Sequence, residues 1–205
     1  MIELYHCPMA RSFRCLWALE YIGAPYKLHV LAFPPRVTSP EFLRINPLGT
    51  VPALLDGKIL MTESIAALQY LAGRYAPDLA LRPDDADYAA WLEWTIYGEA
   101  SLAAPLSLVA RYRLFEPEAR RLPQAVEDAK ELFSMRLAPL EKILEGREYL
   151  AGGALTIADM SVQYALDLAE FLKISDLLTP NVKNYAARLR TVPSYMAARK
   201  AQKPA

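Results

Sequence analysis

Apolar and polar positions follow two different periods in the first part of the chain and a single one afterwards. Residues 2–5 and 26–31 are short runs of strand length. Between them, over residues 11–22, Phe13, Leu16, Trp17 and Tyr21 recur at helical spacing. Gly23 and Pro25 end that helix. Strand, helix and strand in this order predict a βαβ unit with parallel strands. Prolines at 34, 35, 40, 47 and 52 leave room for only a short helix over 41–44. The runs 51–55 and 58–61 flank Asp56-Gly57, a two-residue hairpin signal because both turn positions need φ > 0. A helix over 64–75 follows, with Ile65, Leu68 and Ala72 on one face.

Beyond residue 78 the strand signals stop. Residues 79–86, with Pro83 and Asp84-Asp85, have linker composition. Helical patterns then cover 87–104, 123–145, 157–172 and 182–189. In the second of these, Val126, Ala129, Phe133, Leu137, Leu140 and Leu144 advance by three or four residues each time and make a continuous apolar face. The expectation is an α/β domain over 1–78 followed by an all-helical domain over 87–205, with no internal repeat.

The 205 residues are 54% hydrophobic and 22% charged, with 23 Lys+Arg against 23 Asp+Glu. A disordered chain would need low hydrophobicity and a large net charge. Zero net charge also argues against general affinity for nucleic acid or anionic membrane. No apolar run approaches the roughly 20 residues needed to span a bilayer, and the start shows neither a basic segment nor a long apolar one. Cys7 and Cys15 are too few for a disulfide scaffold, and no His/Cys cluster has metal-ligand spacing. A soluble, cytoplasmic, metal-free protein is expected.

Four segments carry candidate chemistry. In Val51-Pro52, a cis bond would turn the Val51 N–H and C=O outward toward an extended peptide ligand, although most X-Pro bonds are trans. Thr62-Glu63-Ser64 opens a helix. The free N–H groups there and the Ser64 hydroxyl suit a carboxylate, and Glu63 suits an ammonium; plain N-capping is the alternative. In Cys7-Pro8-Met9-Ala10-Arg11-Ser12, the helix N-terminus and Arg11 would favour a thiolate at Cys7, and Ser12 could donate to a bound thiolate. The alternatives are a buried cysteine and a capping serine, and Cys15 belongs to the core. Thr156 and Asp159 form a capping box, with Leu155 and Met160 as its hydrophobic staple. His6 and His29 both fall in strands, a poor basis for a Ser-His-Asp triad.

Taken together, Asn46-Pro47-Leu48-Gly49-Thr50-Val51-Pro52-Ala53-Leu54, Thr62-Glu63-Ser64 and the Thr156-to-Asp159 box resemble the cytosolic glutathione transferase family in order and spacing, over nearly the whole chain. The resemblance implies a thioredoxin-like N-terminal domain (β-α-β-α-β-β-α), a helical C-terminal domain, a homodimer, and glutathione as co-substrate in a detoxifying role. It implies that Val51-Pro52 is cis and pairs with the cysteinyl part of glutathione, beside Thr50. Glu63 and Ser64 would hold the γ-glutamyl end, and Arg36 the glycyl carboxylate. Residues 4–23 are most similar to bacterial beta-type members, yet Arg11 stands at that class's active cysteine and Ala100 at its nearby histidine. The serine of theta- and zeta-like members would fall near Met9. Cys7-Pro8 resembles the motif of omega-like and glutaredoxin-like proteins, and Tyr5 matches the tyrosine-type classes less closely.

The implied activity is addition of the glutathione thiolate to a hydrophobic electrophile, by conjugation or a lyase-type reaction. The thiol would be activated by Ser12 or by a backbone N–H of the 7–12 turn, with Arg11 supplying positive potential. Met9, Ala10, Trp94, Tyr97 and Arg111 are the candidates for the second-substrate pocket. Two alternatives stay open: a Cys7-dependent thiol-disulfide oxidoreductase or deglutathionylase, and a non-catalytic binding scaffold.

Overall fold

The computed structural model describes residues 1–202, so the last three positions of the expected helical domain lie outside the described residues. The chain divides into two compact units, Met1–Ala80 together with the chain from Arg190 onward, and Leu81–Leu189.

The first unit is built on strands β1 (Ile2–His6), β2 (Tyr26–Val30), β3 (Ala53–Asp56) and β4 (Ile59–Met61), in the sheet order β2-β1-β3-β4. β1 runs parallel to β2 with Leu4 opposite Leu28, and antiparallel to β3 with Leu4 opposite Leu54. β3 and β4 form the hairpin that Asp56-Gly57 predicts, with Gly57 at φ 60°. Helix α1 (Ser12–Ile22) makes the parallel crossover and ends at Gly23 in the left-handed region. The Pro-rich stretch departs from expectation. It carries helix α2 (Pro35–Thr38) as well as a 3-10 turn at Pro40–Arg44. Pro35 and Pro40 sit at the first turn of these helices, where a missing N–H costs nothing. Helix α3 (Ser64–Tyr75) follows with the expected bounds.

Strand alternation sorts the core. Leu4 and Leu54 are buried, as are Leu16 and Leu19 of α1 and Leu68 and Leu71 of α3. The intervening positions Tyr5 and Ala53 belong to a separate cluster with Cys7, Phe42 and Val51.

Within the second unit, helix α4 (Tyr88–Tyr97) passes through a π-helical stretch at Gly98–Ala103 into α5 (Ala104–Ala110), and a second π-helical stretch, Arg111–Phe115, follows. The helical run expected to stop at residue 104 therefore reaches Phe115. The run expected over 123–145 is two helices, α6 (Pro123–Met135) and α7 (Leu137–Ile143). They part at Arg136, whose guanidinium donates to Ser101 O at 2.8 Å and whose carbonyl accepts from the Tyr97 hydroxyl at 3.0 Å. Helix α8 (Ile157–Phe171) is buried continuously from Ile157 to Ala169. It starts at the expected box: Asp159 accepts from Thr156 N at 2.8 Å, and Thr156 Oγ1 accepts from Ala158 N. Helix α9 (Pro180–Leu189) completes this unit.

Helix α10 (Pro193–Ala201) escapes the sequence reading. Only Tyr195 and Ala198 of it are buried, too few positions to show an apolar face. It packs on α1 in the first unit. The Tyr195 ring meets Phe13 and Trp17 edge-on, at 5.4 and 5.1 Å between centroids, and Trp17 Nε1 donates to Ser194 Oγ at 3.0 Å. Among the described residues no helix is long and apolar enough to cross a membrane.

Candidate functional site

The sheet register brings the candidate segments of the first unit together. Tyr5 pairs with Ala53, so the chain leaving β1 through Cys7 and Pro8 runs beside the chain entering β3 through Val51-Pro52. Leu54 pairs with Met61, which sets the end of β4 and the start of α3 at the same edge. The N-termini of α1 and α3 thus meet at one end of the sheet. Arg14 Nη1 donates to Ser64 Oγ at 3.1 Å, and Cys15 Sγ lies 3.9 Å from Ser64 O.

Both helix starts lack a side-chain cap and an acidic residue in the first turn. Capping by Thr62, Ser64 or Ser12, the plain alternative for each, is therefore not what these residues do. Two helix N-termini without a side-chain cap at one edge bring partial positive charge that suits an anionic ligand.

The turn into α1 overturns the expected chemistry of its side chains. Cys7 is fully buried among Phe42, Val51 and Ala53, with Sγ 3.7 Å from Ala32 O. Burial pushes its thiol up to about 11, the reverse of the lowered value expected from a helix N-terminus. Ser12 is fully buried as well. Its Oγ lies 2.9 Å from His6 Nδ1 and accepts from Cys7 N at 3.3 Å. That hydroxyl is committed inside the fold, because the first strand runs one residue past Tyr5 and delivers His6 beneath the turn. Pro8 is exposed and Met9, Ala10 and Arg11 are half-buried, so these four form the accessible lip of the turn. Met9 takes φ 59°.

The Val51-Pro52 bond is cis, as is Phe33-Pro34, which the sequence does not announce. Asn46 secures the approach to it. Its Nδ2 donates to Thr50 O at 2.8 Å, and its Oδ1 accepts from Leu48 N at 3.1 Å. Gly49, at φ 63°, lies so close to Arg36 that a Cβ there would stand 2.5 Å from Arg36 Cβ. This contact ties the backbone of Arg36 to the Thr50-Val51 turn and leaves the Arg36 side chain exposed. Glu63 and Thr50 are exposed and Ser64 is buried.

Three supporting residues escape a reading by motif. Arg14 is a fully buried arginine on the apolar face of α1, and its position among Phe13, Leu16 and Trp17 is the signal that marks it. His6 gives no signal beyond its place in a strand. Asn46 lies inside the quoted motif, but its role appears only from its hydrogen bonds.

The second-pocket candidates are distributed over both units. Met9 and Ala10 belong to the lip of α1. In the second unit Trp94 is buried and packs edge-on against Tyr97 at 4.9 Å, and the Tyr97 hydroxyl is engaged by Arg136 O. Arg111 is paired with Glu116 at 2.9 Å. Among the described residues no group of three or more His, Cys, Asp or Glu could hold a metal ion.

A four-stranded mixed sheet with a cis-proline at the site edge, joined to a helical unit, is a thioredoxin-like domain followed by a helical one. Residues 1–73 match the family model "Glutathione S-transferase, N-terminal domain", and residues 109–198 match "Glutathione S-transferase, C-terminal domain". Glutathione S-transferase 1 of Zea mays is 31% identical, over 99% of this chain and 98% of its own. Glutathione S-transferase 3 of Schizosaccharomyces pombe is 27% identical, over 90% and 81%. Among solved structures, a glutathione transferase from Methylococcus capsulatus superposes with TM-score 0.84 at 29% identity, covering 98% of each chain. A sphingomonad glutathione S-transferase complexed with glutathione gives 0.85 at 29% identity, over 99% and 100%. The chain belongs to the glutathione S-transferase family.

Proposed function

We propose that this protein binds reduced glutathione along the site edge of its first unit and transfers the glutathione thiolate to a hydrophobic electrophile. Glu63 takes the γ-glutamyl ammonium, while Ser64 and the α3 N-terminus take its carboxylate. Val51 pairs with the cysteinyl backbone beside Thr50 and Pro52, and Arg36 reaches the glycyl carboxylate. The observation that carries the reading is the uncapped start of α1. With Ser12 and Cys7 turned inward and the Cys7 and Ala10 N–H groups bonded within the turn, the thiol is stabilised by the start of α1, its helix dipole and Arg11. A free thiol titrates near 8.5, and these groups lower it. The thiolate then attacks carbon, and either a halide leaves with the displaced electron pair or an activated alkene takes up the sulfur and a proton. Met9 and Ala10 are the candidate contacts for that electrophile in this unit, and Trp94, Tyr97 and Arg111 are the candidates carried by the second.

The inward thiol of Cys7 speaks against the oxidoreductase alternative. A cytoplasmic, detoxifying homodimer is part of the same reading. Exposed Leu92 and Ile96, one turn apart on α4, are apolar positions that support self-association.

Calorimetric titration with reduced and oxidised glutathione, followed by an electrophile screen on wild type and Cys7→Ala, tests the reading. Binding of the reduced form with conjugation intact in Cys7→Ala is expected. Disulfide exchange that disappears in Cys7→Ala would favour the oxidoreductase, and absence of binding by either form would leave the scaffold.

A further inference from the structure

The buried pair under the α1 turn has a third member that comes from the far end of the chain. His6 Nε2 lies 3.3 Å from Gln202 Oε1, and both residues are buried. An amide oxygen can only accept, so the proton sits on Nε2. Burial holds His6 down to about 4, and the ring is neutral at pH 7. Its Nδ1 is therefore bare and takes the one proton of Ser12, 2.9 Å away, in preference to Cys7 O at 3.5 Å. The Ser12 oxygen is then left as a pure acceptor for Cys7 N–H. The order Gln202, His6, Ser12, Cys7 has one consistent arrangement of hydrogens. The same end of α10 holds the outer side of the turn. Arg199 Nη1 is 3.4 Å from Met9 Sδ, and its guanidinium carbon stands 5.7 Å from the centre of the Phe13 ring.

We infer that Gln202 is a positioning residue for the thiol site: it fixes His6 as the Nε2–H tautomer, and through Ser12 it holds the Cys7-to-Ser12 turn so that the α1 N-terminus faces the glutathione sulfur. The role rests on the proposed transferase function, whereas the tautomer does not. A hydroxyl committed to His6 also explains why Ser12 is a support for the turn and not a donor to the thiol.

The test joins imidazole nitrogen chemical shifts to kinetics. The chain has two histidines, so His6→Asn assigns the spectrum at once. Wild type is expected to show His6 neutral and protonated on Nε2. Gln202→Met keeps length and apolar bulk but removes the acceptor. It is expected to give a mixture of tautomers, to raise the pKa of bound glutathione, read from thiolate ultraviolet absorbance, and to lower kcat about tenfold with little change in KM. A His6 protonated on Nδ1 overturns the inference at its first step. A Gln202→Met protein with wild-type thiol pKa and kcat overturns the positioning role while glutathione binding stands. A wild type that binds no glutathione removes the transferase reading and the role together, with the tautomer still measured.

Discussion

Arg14 and Ser64 are joined by a 3.1 Å hydrogen bond between two buried groups, the guanidinium donating to the hydroxyl oxygen. With its oxygen occupied, Ser64 has its own proton left for an acceptor at the α3 N-terminus. Arg14→Met removes the donor and its charge, and binding of reduced glutathione is expected to weaken about tenfold, the scale of one charge-assisted hydrogen bond. Titration calorimetry on Arg14→Met and Ser64→Ala checks this, and wild-type affinity in both would refute it.

Cys7 should be chemically quiet. A thiol held at about 11 has almost no thiolate at neutral pH, and Cys15 is pushed further still, to about 12. Alkylation of the native protein by iodoacetamide is expected to follow the rate of unfolding, with both cysteines labelled together in denaturant. Fast labelling of Cys7 in the native state would contradict its buried environment.

Gly98 and Gly73 give opposite signs for the same substitution. A Cβ on Gly98 would stand 2.4 Å from Ser161 Oγ and 2.5 Å from Ser161 C, whereas one on Gly73 meets nothing within 4 Å. Alanine gains up to about 1 kcal/mol over glycine inside a helix, and overpacking costs about 1–3 kcal/mol. Urea midpoints should therefore fall for Gly98→Ala and rise for Gly73→Ala.

Two buried groups pull stability in opposite directions with pH. His6 is lowered from 6.5 to about 4, so its contribution is full above 6.5 and is lost as pH falls toward 4. Asp159 is raised from 3.8 to about 6 by burial, against donors from Thr156, Leu150 and Tyr185. Its contribution is full below 3.8 and is lost as pH rises through 6. Between pH 4 and 6, His6→Asn should lose less stability on acidification than wild type, and Asp159→Asn should lose more. Denaturation midpoints across that range decide it, since the other carboxylates cancel in each difference.

The first unit was legible wherever a local rule sufficed. Asp56-Gly57 marks its hairpin, Gly23 ends α1, and the spacing in 64–75 gives α3 to the residue. The second unit yielded its helices but not the break at Arg136, because the apolar period runs unbroken through Phe133, Leu137 and Leu140 while the break falls where Arg136 bonds Ser101 through its guanidinium and Tyr97 through its carbonyl. At the site, the segments proposed to face glutathione show in the sequence because they are contiguous. The direction in which Cys7 and Ser12 point does not, since His6 and Gln202, nearly the length of the chain apart, determine it.

The contact of α10 with α1 also fixes an order of assembly. A ribosome delivers Met1–Ala80 first, yet Trp17 waits for Ser194, Phe13 for Tyr195 and His6 for Gln202. The Leu81–Leu189 unit is continuous in sequence. The half that begins first is thus finished last, once Ser194, Tyr195 and Gln202 have been made. A chain truncated after Leu189 should shield the later unit from protease while its opening segment stays cleavable.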